Sequence, residues 1–287
     1  MKSICVLLLL PLLAFGWIDD HGVDSSIPAG TPPVGEDAIT LTAVNTFNVP
    51  SASHILGLNM QYTSSSSFGM MDNGDDKLRG INGNTGAEYW NVDINYGGSM
   101  FNFGLCHSWP SPYGWYINAW SDSDMHYRNT SGTWSVPFAN PAGTNGRGMS
   151  FEVPDDHIWE TYSQSTTFRI YRISTSGSSE YWSTPEVSGQ MSGLATFQHG
   201  GNTWVAVTCY YDATLYFYEY TGSALNYIGT ASTGISGQNL ICGLTYSDAR
   251  DSFFLSYEMP SNWWVAEFDY SITALERDTW GSIKTQF

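Results

Sequence analysis

The chain has 287 residues, of which 15% are aromatic and 13% are charged, a composition typical of a folded domain with a large core. Ten Lys and Arg residues stand against 27 Asp and Glu residues, which gives a formal net charge of −17. Because nucleic acids and anionic lipids attract basic surfaces, this charge excludes a nucleic-acid-binding function and argues against docking on an anionic membrane. It suits solubility, a cationic partner or Ca²⁺, and solubility is the simplest of these explanations.

The N-terminus is predicted to be a secretory signal peptide. Lys2 precedes an apolar run over residues 5–15, and a small-residue cleavage pattern ends at Gly16. The run is too short to span a membrane, and no later segment approaches the required length. We therefore predict a signal peptide over residues 1–16, a linker rich in Asp, Pro and Gly over residues 17–37, and a secreted protein without a membrane span.

Five copies of a repeat make up most of the remaining chain. Each copy begins with Gly-Leu, or Gly-Met in the third copy, and successive glycines are 47, 44, 45 and 50 residues apart. A large aromatic residue stands eleven residues after each glycine, and the first four copies carry a turn glycine about 29 residues after it. The repeat glycines are Gly57, Gly104, Gly148, Gly193 and Gly243. The aromatic residues are Phe68, Trp115, Trp159, Trp204 and Phe254. The turn glycines are Gly86, Gly132, Gly177 and Gly222.

The segments inside each copy are rich in β-branched and aromatic residues, as in Trp204–Tyr211 and Leu215–Tyr220. Four such segments in about 45 residues are typical of one propeller blade. We therefore predict an all-β fold over residues 38–272, a five-bladed β-propeller with four antiparallel strands per blade. Residues 273–287 are predicted to form a C-terminal tail.

The fifth copy ends near Tyr270 with only three strands, whereas an alternating segment over residues 39–47 precedes the first repeat glycine. This segment has the spacing before Gly57 that a fourth strand has in the complete copies. We predict that it completes the last blade and closes the ring, which would remove the free sheet edges.

The repeat resembles that of secreted bacterial β-propeller proteins, whose blades begin with Gly-Leu or Gly-Ile and carry a Trp about eleven residues later. The resemblance covers residues 38–270 and implies an extracytoplasmic propeller. The five-blade count is also similar, more weakly, to tachylectin-type lectins, which would imply carbohydrate binding.

The inner strands offer few catalytic candidates. Five-bladed glycosidases place at least two carboxylates on these strands, since one acts as acid and another as base or nucleophile. At the third and fourth positions after the repeat glycines we find one carboxylate, Glu152, together with His107. We interpret both as structural residues that are also candidates for ligand binding.

Two kinds of loop provide further candidates. Asp72, Asp75 and Asp76 form an acidic turn whose oxygen atoms could bind Ca²⁺, although Asp-Asn-Gly is also a hairpin-turn sequence, and we favour the turn. Exposed aromatic rings could stack on a sugar or grip a peptide. The candidates of this kind are Trp109, Tyr113 and Trp263, although for Trp263 we favour a position in the blade core.

Our leading hypothesis is a secreted, non-enzymatic propeller that binds a protein or a glycan through loops on one face, with no cofactor other than Ca²⁺. The alternative is an extracellular, glycosidase-like hydrolase whose site is assembled from loops. The first is favoured because no convergent set of catalytic residues stands out from the sequence.

Overall fold

A computed structural model describes residues 38–60, 66–96, 102–109, 113–120, 122–153, 155–260 and 262–273. The predicted signal peptide and linker, and all but the first residue of the predicted tail, lie outside the described residues. None of the described residues forms a helix long and apolar enough to cross a membrane.

The strands fall into five sheets of four. Blade 1 consists of β2 (Ile55–Met60), β3 (Ser67–Asp72), β4 (Lys77–Asn82) and β5 (Glu88–Asp93). Blade 2 consists of β6 (Asn102–Ser108), β7 (Gly114–Ala119), β8 (Asp124–Asn129) and β9 (Trp134–Ala139). Blade 3 consists of β10 (Gly146–Glu152), β11 (His157–Gln164), β12 (Thr167–Ser174) and β13 (Ser179–Ser183). Blade 4 consists of β14 (Met191–His199), β15 (Asn202–Cys209), β16 (Asp212–Tyr220) and β17 (Leu225–Ser232). Blade 5 consists of β18 (Leu240–Ser247), β19 (Ser252–Met259), β20 (Asn262–Thr273) and β1 (Ala38–Asn48).

Every pairing within a blade is antiparallel, and the chain is a five-bladed β-propeller, as the repeat predicts. The first strands of successive blades contact one another around the axis, so they form the inner wall of the ring. A single 3₁₀ turn, Gly143–Asn145, leads into β10.

The ring closes through the N-terminal strand. β1 is the outermost strand of the last blade and pairs with β20 from Ala38 opposite Thr273 to Asn48 opposite Trp264. The buried side chains of Ile39 and Phe47 secure it to the core. The predicted closure is therefore confirmed, and the two ends of the described chain lie in one sheet.

The repeat glycines explain how the inner strands pack so closely. A Cβ on Gly57 would lie 2.7 Å from the carbonyl oxygen of Phe103, and one on Gly148 would lie 2.5 Å from the backbone of Gly193. A Cβ on Gly243 would lie 2.7 Å from the backbone nitrogen of Leu58, which brings the contacts back to the first blade. No other residue type fits, because any side chain would enter the backbone of the next blade.

The aromatic residues eleven positions later are all buried, as the repeat predicts. Their exposed fractions are 0% for Phe68, Trp159 and Phe254, and 6% for Trp115 and Trp204. The turn glycines adopt positive φ angles, from 71° at Gly86 to 90° at Gly177, in the tight turns before the outermost strands. The markers recognised in the sequence thus serve packing and turn geometry.

The cysteines of the ring are packing residues. Cys106, Cys209 and Cys242 are buried and form no disulfide among the described residues, and burial raises the pKa of the Cys106 and Cys209 thiols. A buried thiol with a raised pKa is a poor nucleophile, so the site must be sought elsewhere.

Substitution of Trp159 by Ala is expected to destabilise the protein by about 3–5 kcal/mol, as truncation of a large buried side chain does. The Trp159 ring packs between Trp182 and Tyr220, with centroid distances of 5.7 and 5.2 Å. Chemical denaturation measured by circular dichroism tests the prediction. An unfolding free energy within 1 kcal/mol of the wild type, on the scale of typical surface changes, would contradict it.

Candidate functional site

A funnel opens on the axis at the end of the ring where the first strand of each blade ends. It consists of two adjoining cavities of about 110 and 40 Å³, which share Phe151, Val153, Thr196 and Asp248 in their walls. The floor is closed, because the repeat glycines and the leucines beside them leave no room for a water molecule. We call this space the axial funnel.

Polar side chains line most of the axial funnel. The wall residues of the smaller cavity with polar side chains are Asn59, His107, Ser150, Thr196, Thr245, Tyr246, Ser247 and Asp248. Several of them connect neighbouring blades: Asn59 Oδ1 accepts a hydrogen bond from the His107 amide at 3.0 Å, and Ser150 Oγ lies 2.8 Å from Thr196 Oγ1. The inner wall is therefore a fixed polar surface.

Two titratable groups face this space from blades on either side of blade 1. Burial lowers the pKa of His107 to about 4, and its Nδ1 is buried without a hydrogen-bond partner among the residues that the structure describes. Desolvation raises the pKa of the Asp248 carboxyl, and the neighbouring charge of Asp251 adds to the effect. Neither group forms an ion pair within the described ranges.

Glu152 also lines the larger cavity, but its carboxylate already accepts three hydrogen bonds from protein groups. Oε2 accepts hydrogen bonds from Trp159 Nε1 at 2.9 Å and Arg172 Nε at 2.8 Å, and Oε1 accepts one from Thr203 Oγ1 at 2.6 Å. The side chain is 3% exposed. These contacts join blades 3 and 4, and they give Glu152 a clear structural role.

The acidic turn of blade 1 surrounds an arginine. Asp72 Oδ2 accepts a hydrogen bond from Arg79 Nε at 2.9 Å, and Asp75 and Glu88 also pair with this guanidinium. Asp76 has a φ of 51°, which fits the turn. The carboxylates of this turn thus pair with Arg79, and no group of three metal-ligating side chains is found in the described part of the chain.

The aromatic candidates have different surroundings. Trp109 and Tyr113 flank the loop between β6 and β7, with their ring centroids 4.6 Å apart, and Tyr113 is 42% exposed. Trp263 is 3% exposed and belongs to the core, so it offers no ring face to a ligand.

Of the candidate residues predicted from the sequence, only His107 and Glu152 line the axial funnel. The structure adds Asp248 to them.

A further cavity, which we call the lateral groove, lies between blades 1 and 2 and has a volume of about 290 Å³. Its walls are Trp90, Val92, His107, Gly114, Trp115, Arg128, Asn129 and Thr130. Since His107 belongs to the walls of both cavities, the lateral groove adjoins the axial funnel.

Comparisons of the sequence with known families and with curated proteins find no match. Solved structures do match. Glutaminyl cyclase from Myxococcus xanthus aligns with a TM-score of 0.59 and 8% identity over 82% of this chain and 98% of that one. A PQQ-bound aldose sugar dehydrogenase from Streptomyces coelicolor aligns with a TM-score of 0.56 and 12% identity over 84% and 100%. A putative gluconolactonase aligns with a TM-score of 0.54 and 12% identity over 79% and 93%.

These matches correct the leading hypothesis from the sequence. The prediction of a non-enzymatic binding protein is wrong, because the similar propellers carry the names of enzymes, and this favours the alternative of an enzyme with a loop-built site. At such low identity the likeness shows the fold alone and transfers no particular reaction. The reaction has to be argued from the axial funnel itself.

Proposed function

We propose that the protein is a secreted, glycosidase-like hydrolase whose active site is the axial funnel, with Asp248 as general acid and His107 as general base. The observation that carries the proposal is that both groups line one polar cavity and neither forms an ion pair among the described residues. The apolar N-terminal run supports action outside the cytoplasm.

The surroundings of each group suit its proposed role. Desolvation at the funnel wall favours the protonated form of Asp248, which can then donate a proton to a leaving oxygen. Burial keeps His107 uncharged, so its imidazole can accept a proton from an attacking water. Glu152, held by three donors, supports the wall between blades 3 and 4.

The pH dependence of turnover follows from these shifts. His107 loses its basic form as the pH falls through about 4, the pKa to which burial lowers it. Asp248 loses its acidic form as the pH rises through a pKa raised above its ordinary value. We therefore expect a bell-shaped profile of kcat/KM with its maximum at acidic pH. A profile that rises steadily to pH 8 would contradict this assignment.

The test is hydrolysis of a panel of 4-nitrophenyl glycosides by the wild type and by Asp248→Asn and His107→Gln. Each substitution is expected to lower kcat about 10²- to 10⁴-fold, the usual contribution of a general acid or base. Asp269→Asn is the matched control, since Asp269 is exposed on β20 and should retain full activity. Turnover that survives in both funnel variants, or no turnover of any glycoside by the wild type, would refute the proposal.

A further inference from the structure

The lateral groove contains a half-buried arginine, Arg128. Arg128 forms no ion pair within the residues that the structure describes, whereas Arg79, Arg172 and Arg250 each pair with at least one carboxylate. This is notable in a chain with a formal net charge of −17, in which acidic side chains are abundant. Arg128 lies directly opposite Trp115 in the pairing of β7 with β8.

Two indole rings form the apolar part of the lateral groove. The ring centroids of Trp90 and Trp115 are 6.4 Å apart, and His107 packs edge-on against Trp115 at 4.6 Å. Trp90 is half-buried, so part of its ring remains open to a ligand. Flat rings of this kind stack on the apolar faces of sugar rings and of other planar groups.

A pair of glycines makes room for these rings. Gly69 and Gly80 face each other across β3 and β4. A Cβ on Gly69 would lie 2.2 Å from the Trp115 ring, and one on Gly80 would lie 2.2 Å from the Trp90 ring. Each indole ring therefore packs directly against the backbone of a glycine, and this close packing fixes the position of both rings beside Arg128.

We propose that the lateral groove binds a sugar ring that carries a carboxylate, such as a uronic acid, as a subsite of the axial funnel. The planar guanidinium of Arg128 matches a carboxylate in geometry and in charge, and the indoles supply the stacking surface. The volume of about 290 Å³ suits a single ring. The overall negative charge repels anions elsewhere, so this local positive group selects the acidic sugar from neutral ones.

This inference rests on the proposed function for its place next to the catalytic groups, but its test requires only binding. The probes are methyl β-D-glucuronide and methyl β-D-glucoside, which differ only in a carboxylate in place of a hydroxymethyl group. Binding is measured by saturation-transfer NMR and by calorimetric titration. We expect the glucuronide to bind at least tenfold more tightly than the glucoside, since a charge-assisted pair contributes about that much.

Substitutions in the lateral groove test whether this groove causes the preference for the glucuronide over the glucoside. Arg128→Gln is expected to reduce glucuronide affinity about 10- to 100-fold, to the level of the glucoside. Trp90→Ala should weaken both ligands. Arg169→Gln is the matched control, because this half-buried arginine stacks on Tyr181 in blade 3 and should leave binding unchanged. Equal affinity for the two sugars, no binding of either, tighter binding of benzoate than of the glucuronide, or wild-type binding by Arg128→Gln would overturn the inference.

Asp248→Asn separates this inference from the proposed function. The variant should bind the glucuronide as the wild type does, because Asp248 is not part of the lateral groove. Arg128-dependent binding without any glycoside turnover would refute the catalytic proposal and leave the subsite in place. Turnover of 4-nitrophenyl glucuronide that depends on Asp248 but is indifferent to Arg128→Gln would refute the subsite alone.

Discussion

Deletion of residues 1–48 is expected to abolish stable folding, whereas deletion of residues 1–37 should leave the ring intact. The longer deletion removes β1, which forms ten residue pairs with β20. Each backbone hydrogen bond that is lost lowers the free energy of unfolding by about 1 kcal/mol, and the lost burial of Ile39 and Phe47 lowers it further. The total loss approaches the whole free energy of unfolding of a typical domain, about 5–15 kcal/mol. It also leaves β20 as an unpaired edge that can aggregate.

Thermal unfolding and analytical ultracentrifugation of the two truncated proteins test this prediction. The shorter deletion serves as the control, because all the strand pairing of the described residues lies between Ala38 and Thr273. Two truncated proteins with the same melting temperature and the same monomeric state would show that β1 is dispensable.

Substitution of Gly148 by Ala is expected to destabilise the ring by more than about 3 kcal/mol, which is at the upper end of overpacking effects. The added Cβ would lie 2.5 and 2.6 Å from the carbonyl carbon and Cα of Gly193. These atoms belong to the backbone of the next inner strand, so no flexible side chain can move aside. Relief requires blades 3 and 4 to separate along their inner strands.

The same substitution at Gly143 provides a matched control. Gly143 has a φ of 58°, and a Cβ there would meet nothing within 4 Å. Only the cost of a non-glycine residue at positive φ remains, about 1 kcal/mol. Denaturant titration of the two variants gives their free energies of unfolding. If Gly143→Ala lowered the free energy of unfolding as much as Gly148→Ala, blade packing would be excluded as the reason for the repeat glycines.

The fold could be predicted from the sequence because the residues that shape each blade recur at the same positions in every copy. Gly148 and Trp159 are examples: one permits close packing of inner strands and the other fills the space within a blade, and each has equivalents in the other four copies. The closing strand was predictable for the same reason, since the fifth copy lacked one strand and residues 39–47 supplied it.

The site was harder to predict because it depends on residues that do not repeat. Asp248 stands five positions after its repeat glycine, one position beyond the segment considered for catalytic carboxylates, and its role depends on the cavity it faces. The lateral groove joins Trp90 of blade 1 to Arg128 of blade 2, and no sequence spacing indicates that contact. Trp263 lies in the core, which is the position that the sequence favours over contact with a ligand.

The closed floor of the axial funnel would determine how a substrate reaches the proposed catalytic groups. Among the described residues, the layer of repeat glycines and their apolar neighbours leaves no room for a water molecule on the axis, so substrate and product would share the open end of the funnel. A long polymer could then not pass through the ring, and under the proposed function only a chain end or a side branch would reach Asp248. Such an enzyme would release short products from chain ends, and each product would block the entrance until it left.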